Sequence, residues 1–153
     1  MKGAQFIQQA IELALLAERE GNLPIGAVIA LDDEVIAEGR NAILVPEFDA
    51  TRHAEMEAIR AVPAELWASA REMELYTTLE PCLMCAGSIL LHRIGKVSYG
   101  SADDYGGASV VFENLPPYFR ERSVKTQLEG PILPDECDLL NERVMELVLA
   151  RRD

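Results

Sequence analysis

The stretch from Arg52 to Leu91 constrains this chain more than any other. It opens with His53-Ala54-Glu55 and closes with Pro81-Cys82-Leu83-Met84-Cys85. One imidazole and two thiolates make three zinc ligands, and a tetrahedral ion held by three protein groups keeps its fourth position for water. Cys82 and Cys85 are three apart, nearly on one face of a helix. Met73 to Leu79 reads as a buried strand, and Pro81 suits the helix start that follows, where a missing N–H does little harm. The two cysteines are then expected in the first turns of that helix, where unpaired N–H groups and the helix dipole favour a thiolate. His53 is expected to open another helix, running through Met56, Ile59 and Arg60. In mid-helix His53 and Glu55 would point about 200° apart. Both reach one ion only if it lies off the helix N-terminus, so the motif predicts two helix N-termini converging on one metal.

A C-x-x-C pair has other uses: a redox couple, part of a structural zinc site, or two core thiols. A structural zinc needs a fourth protein ligand. The remaining residues of suitable type are Cys137 and His92, neither in a paired spacing. A redox couple leaves His53 and Glu55 unexplained.

The chain of 153 residues fits one domain, 1–153, with a substantial core. No apolar run approaches membrane-spanning length, and Met1 to Gln5 does not begin a signal peptide. Three cysteines, two of them assigned to metal, argue against a disulfide framework and for a reducing cytoplasm. The net charge of −12 weighs against a polyanionic partner, because nucleic-acid affinity rests largely on Lys and Arg at phosphates. A local patch is the exception, and its candidates are Arg120, Arg122, Lys125 and the Arg151-Arg152 end.

Along the chain, Ala4 to Arg19 reads as an amphipathic helix stopped by Gly21-Asn22. Ile25 to Leu31 and Glu34 to Arg40 read as a hairpin turning at Asp32-Asp33, with Asn41 where the second strand ends. Ala42 to Thr51 is a loop, Val62-Pro63 ends the His53 helix, and Ala64 to Arg71 forms a short second turn of helix with Trp67 packed. Gly95 ends the cysteine helix. A strand over Lys96 to Gly100, a polar rim over Ser101 to Ser109 and an irregular Leu115 to Tyr118 follow. A more exposed strand over Ser123 to Leu128 and a helix from Pro134 to about Arg151 complete the chain. Strands alternating with helices make this α/β, a three-layer α/β/α sandwich. In such sheets ligands sit near strand ends and helix N-termini, which is where Asn41, His53 and Cys82 fall.

With these segments in place, the sequence resembles the cytidine deaminase-like superfamily, whose zinc deaminases carry H-x-E…P-C-x-x-C. The resemblance covers nearly the whole chain. It runs through Leu23-Pro24-Ile25-Gly26-Ala27-Val28, Gly39-Arg40-Asn41, His53 to Met56, Thr78 to Gly87, Arg93 to Gly100 and Gly130 to Cys137. It is closest to the bacterial tRNA adenosine deaminases and to guanine and cytosine deaminases. It implies a five-stranded mixed sheet between helices, and a homodimer, which the many apolar residues of the cysteine helix (Ile89, Leu90, Leu91) also favour. It implies one zinc on His53, Cys82 and Cys85, with Glu55 as the proton shuttle. Asn41 and the backbone of Ala54 match contacts to the base, and Leu23 matches an apolar pocket wall. Asp103 matches a position that contacts nucleic acid in the tRNA enzyme; beside Asp104 it also reads as a solvated loop pair. Cys137 matches a packed structural residue. The sequence departs from the family at Leu83, often a proline, at Arg52, and in its C-terminal helix, which ends Glu146 to Asp153 instead of in basic residues.

The reading is hydrolytic deamination. A zinc so held acidifies its water, and Glu55 moves protons from water to ring nitrogen and to the departing amino group. Because acids outnumber bases 26 to 14, the expected substrate is a small amino-substituted base or nucleoside. Adenosine in tRNA is the alternative, and a non-turning-over zinc or nucleotide-binding module is the lesser one, since binding alone needs no proton shuttle.

Overall fold

The fold is given by a computed structural model and is described for residues 2–151. Its centre is a five-stranded sheet in the order β2-β1-β3-β4-β5. The strands are β1 (Gly26–Leu31), β2 (Glu34–Arg40), β3 (Glu74–Leu79), β4 (Lys96–Ser101) and β5 (Gln127–Glu129). β1 runs antiparallel to both β2 and β3, and β3, β4 and β5 run parallel, so the sheet is mixed. The helices are α1 (Ala4–Arg19), α2 (Ala54–Ala61), α3 (Leu83–His92), α4 (Pro117–Ser123) and α5 (Pro134–Ala150). Two 3-10 segments, Ala64–Glu72 and Ser109–Asn114, connect them.

Strand alternation divides the core in two. Ala27, Ile29 and Leu75 pack with Ala54, Ala58 and Ile59 of α2 and Ile89 of α3. Val28, Ala30 and Tyr76 face the other way, against Phe6, Ile7 and Ile11 of α1 and Leu140 of α5. This is the expected three-layer sandwich. The β1–β2 turn is made by Asp32 and Asp33, both in the left-handed region at φ 51° and 63°. Two successive left-handed residues match the right-handed twist of the strands they join.

Four expectations about elements need correction. Leu115 to Tyr118 is not irregular throughout, because Pro117 starts α4, at a position where its missing N–H would be unpaired anyway. The strand expected over Ser123 to Leu128 is instead three residues, Gln127–Glu129. α3 is ended by Arg93 in the left-handed conformation, before Gly95 is reached. Ile89 and Leu90 fill the core, at 2% and 1% exposure, and only Leu91 of that trio faces outward. Among the described residues no helix is long and apolar enough to cross a membrane.

Two glycines let helices sit directly on the sheet. A Cβ on Gly26 would lie 2.0 Å from the carbonyl oxygen of Ala10 in α1, and one on Gly39 would lie 2.1 Å from that of Ala54. Both neighbours are backbone, so neither can move alone. The Gly39 contact seats the first turn of α2, next to His53. Gly39→Ala is therefore expected to destabilise the fold by roughly 1–3 kcal/mol through overpacking. Denaturant melting should show this, and metal affinity should fall with it, because α2 must shift to admit the methyl group.

Candidate metal centre

The site forms where α2 and α3 begin. His53 is the N-cap of α2 and Cys82 the N-cap of α3, both with extended backbone (ψ 153° and 176°). Cys82 is thus one step outside the helical turn in which it was expected, with Pro81 before it and Cys85 inside. The carbonyls of His53 and Cys82 accept the first helical bonds, from Glu57 and Ala86. Their side chains are left beyond the helix ends, facing one another.

The Nδ1 of His53 lies 3.5 Å from the Sγ of Cys82 and 3.6 Å from that of Cys85. All three donor atoms fall within 4.8 Å of one another. A tetrahedral ion with Zn–S of about 2.3 Å and Zn–N of 2.0–2.1 Å separates nitrogen from sulfur by about 3.5 Å. The residues therefore fit one zinc. Cys137 is not among them: its Sγ would lie 2.2 Å from a Cβ on Gly100, so it is packed against β4.

The electrostatics suit a cation. Hydrogen bonding to Cys85 and to His53 pulls the Cys82 thiol down to about 4, and the same contact with the thiolate raises His53. Cys85 moves up, because its hydrogen bond to Cys82 holds the thiol proton and burial opposes a second negative charge there. The pair thus gives up one proton readily and holds the other until a cation replaces it.

Glu55 is 4% exposed and stands beside the donors. Its Oε2 accepts from the Cys85 thiol at 3.5 Å and its Oε1 from the Thr77 hydroxyl at 3.3 Å. Burial raises its pKa, which suits a carboxyl that must carry a proton as well as release one. Thr77 was missed by sequence reasoning. Its signal was two adjacent threonines, Thr77 and Thr78, between the buried Leu75-Tyr76 and Leu79 of the strand, since buried hydroxyls need partners. Thr78 accepts the Gly26 N–H.

Asn41 is 1% exposed, and its Oδ1 accepts the Ile43 N–H. Its amide nitrogen is buried with no hydrogen-bond partner. A backbone bond from Ala42 to Arg52 ties this corner to the residue preceding His53. Leu23 is buried in the same apolar cluster as Ala54 and Ala58.

The rim after β4 is held from below by Glu80, a second residue missed in the sequence. Its buried carboxylate accepts the N–H groups of Asp103 at 2.9 Å and Ser109 at 3.0 Å. Asp103 in turn accepts the N–H groups of Tyr105 and Gly106, so its carboxylate shapes the turn.

Residues 1–101 match the model for the zinc-binding region of cytidine and deoxycytidylate deaminases. The chain is 38% identical over 135 residues to a tRNA-specific adenosine deaminase of Bacillus subtilis, covering 86% of this chain and 81% of that one. It is 38% identical over 139 residues to one of Aquifex aeolicus, covering 90% of each. Among solved structures it resembles one from a study of A-to-I editing by tRNA:A34 deaminases at the wobble position, with a TM-score of 0.70 and 30% identity over 89% of this chain and 98% of that one. With its three donors set for one zinc and Glu55 beside them, the chain belongs to the cytidine and deoxycytidylate deaminase family of zinc-dependent hydrolytic deaminases.

Proposed function

We propose that this protein deaminates adenosine within tRNA, converting it to inosine with release of ammonia. What carries the choice of substrate is the identity of 38% across nine-tenths of both chains to a tRNA-specific adenosine deaminase. The charge of −12 favoured a small base or nucleoside. That expectation is set aside because a chain's summed charge does not fix the potential over one face. A free base or nucleoside remains the second reading, and the acidic composition favours it.

Zinc, when bound by His53, Cys82 and Cys85, supplies a water acidified toward neutrality. Glu55 takes a proton from the attacking water and passes it to N1 of the adenine ring, which makes C6 electrophilic. The water oxygen bonds to C6, and Glu55 delivers the second water proton to the amino group. The C6–N bond breaks, ammonia leaves and the ring becomes the keto form of hypoxanthine. Thr77 steadies one oxygen of the shuttle and leaves the other for transfer. The unpaired amide of Asn41 donates to the base, the Ala54 backbone makes a second contact, and Leu23 contributes apolar wall. A buried donor without a partner costs about 1–3 kcal/mol, which a bound base would recover.

Three outcomes test this. Elemental analysis of purified protein should give one zinc per chain, lost in Cys85→Ser and kept in Cys137→Ala. Glu55→Gln should keep the zinc and lose about 10²–10⁴-fold in turnover, as befits a general acid–base group; near-normal rate would place the shuttle elsewhere. Inosine should form in an anticodon stem-loop bearing adenosine at the wobble position. Ammonia release from free bases and nucleosides, without inosine in RNA, would make the second reading the correct one.

A further inference from the structure

The last turn of α3 ends at a cleft of about 620 Å³ on the opposite end of that helix from the metal. Trp67, Arg71, Arg93, Arg122 and Lys125 line it, with Glu121 as the one acid. The chain has 14 basic residues, and four of them meet here although they come from three separate stretches. Most of the other described cations are neutralised: Lys2, Arg40, Arg52, Arg60, Lys96 and Arg143 each pair with a carboxylate. The four in the cleft form no ion pair among the described residues. Arg71 instead donates to the Lys125 carbonyl and to the Thr126 hydroxyl. Arg122 lies 3.6 Å over the ring of Tyr118 and donates to its carbonyl, while its Nε is buried without a partner. These interactions fix two guanidinium groups without neutralising them.

We infer that this cleft binds the phosphodiester backbone of an RNA whose target nucleotide is at the metal centre. The inference rests on the RNA substrate proposed above and adds a second point of attachment. Unneutralised cations gathered on an acidic protein concentrate positive potential where it meets a polyanion, and the surrounding acid repels that polyanion elsewhere. Trp67, half-buried against the core with its ring 4.7 Å from that of His92, forms an apolar side of the cleft beside the guanidinium groups. α3 has ten residues, so its ends are about 15 Å apart. A folded RNA spans that distance, and a free base or nucleoside does not.

Arg93 and Lys125 are exposed and have no side-chain bond among the described residues, so they can be replaced without breaking a structural interaction. The test uses zinc-loaded full-length protein and the anticodon stem-loop, with inosine formation at single turnover and binding by fluorescence anisotropy over a range of salt. The double variant Arg93→Glu/Lys125→Glu should raise the protein concentration for half-maximal rate at least tenfold and leave the plateau rate unchanged. Its salt slope should fall by about one for each phosphate that the cleft no longer neutralises. Lys2→Glu/Arg19→Glu makes the same charge change away from the cleft and should stay within twofold of the parent. The inference is overturned if the two double variants behave alike, if only the plateau falls, or if the cleft variant loses affinity for an acidic peptide and not for RNA. If the parent forms no inosine, the proposed reaction fails, while anisotropy on the same RNA still reads the cleft.

Discussion

The site depends on the close approach of β2 to the first turn of α2. With no Cβ on Gly39, the carbonyl of Ala54 comes down onto the strand, and His53 is presented at the helix end instead of along its side. The same arrangement recurs at α3, where Cys82 caps the helix from an extended conformation. A donor on the side of a helix has one direction of approach. A donor at an N-cap faces away from the helix, and two such caps can face each other across a gap of one ion. Burial then separates the roles: the donors meet at 3.5 and 3.6 Å, while Glu55, in the same first turn as Ala54, turns under them against Thr77.

This placement brings several unfavourable groups together. His53 lies within hydrogen-bond reach of both thiols and Glu55 of the Cys85 thiol, all largely out of water, and both helix N-termini add positive potential. The thiolate of Cys82 is favoured by these surroundings, and the charges on Cys85 and Glu55 are opposed by them. A divalent cation resolves the conflict between the two sulfurs. Glu55 stays off the sulfurs' conflict, as a buried carboxyl held against Thr77.

What was legible in the sequence was whatever is local. His53, Glu55, Cys82 and Cys85, which the fold brings together, are marked by type and spacing, and α1, the β1–β2 hairpin and α2 fall where hydrophobic period and turn residues put them. α4 was lost because Pro116-Pro117 breaks a helical pattern wherever it is read, except at the first helical position it occupies here. β5 was overextended because Lys125 and Thr126 belong to the turn before it. Thr77 and Glu80 were passed over for a different reason. Each acts on a partner 22 to 29 residues away in sequence, and nothing in the intervening chain marks the pairing.

Charge shows the same limit. Summed over the chain it is −12, and on that sum a polyanionic partner looks excluded. Three of the residues suspected of forming a patch, Arg120, Arg122 and Lys125, lie on or beside α4, and the fold adds Arg71 and Arg93 to two of them from the ends of neighbouring elements. Of the basic C-terminal pair, Arg152 lies outside the described residues, and Arg151 follows α5 and is not among the residues lining the cleft. Sequence distance conceals this grouping, since Arg71 and Arg122 are 51 positions apart. Acid elsewhere and base in one cleft are therefore compatible with the RNA substrate proposed above: the first would keep a polyanion from binding at random, and the second would decide where it settles.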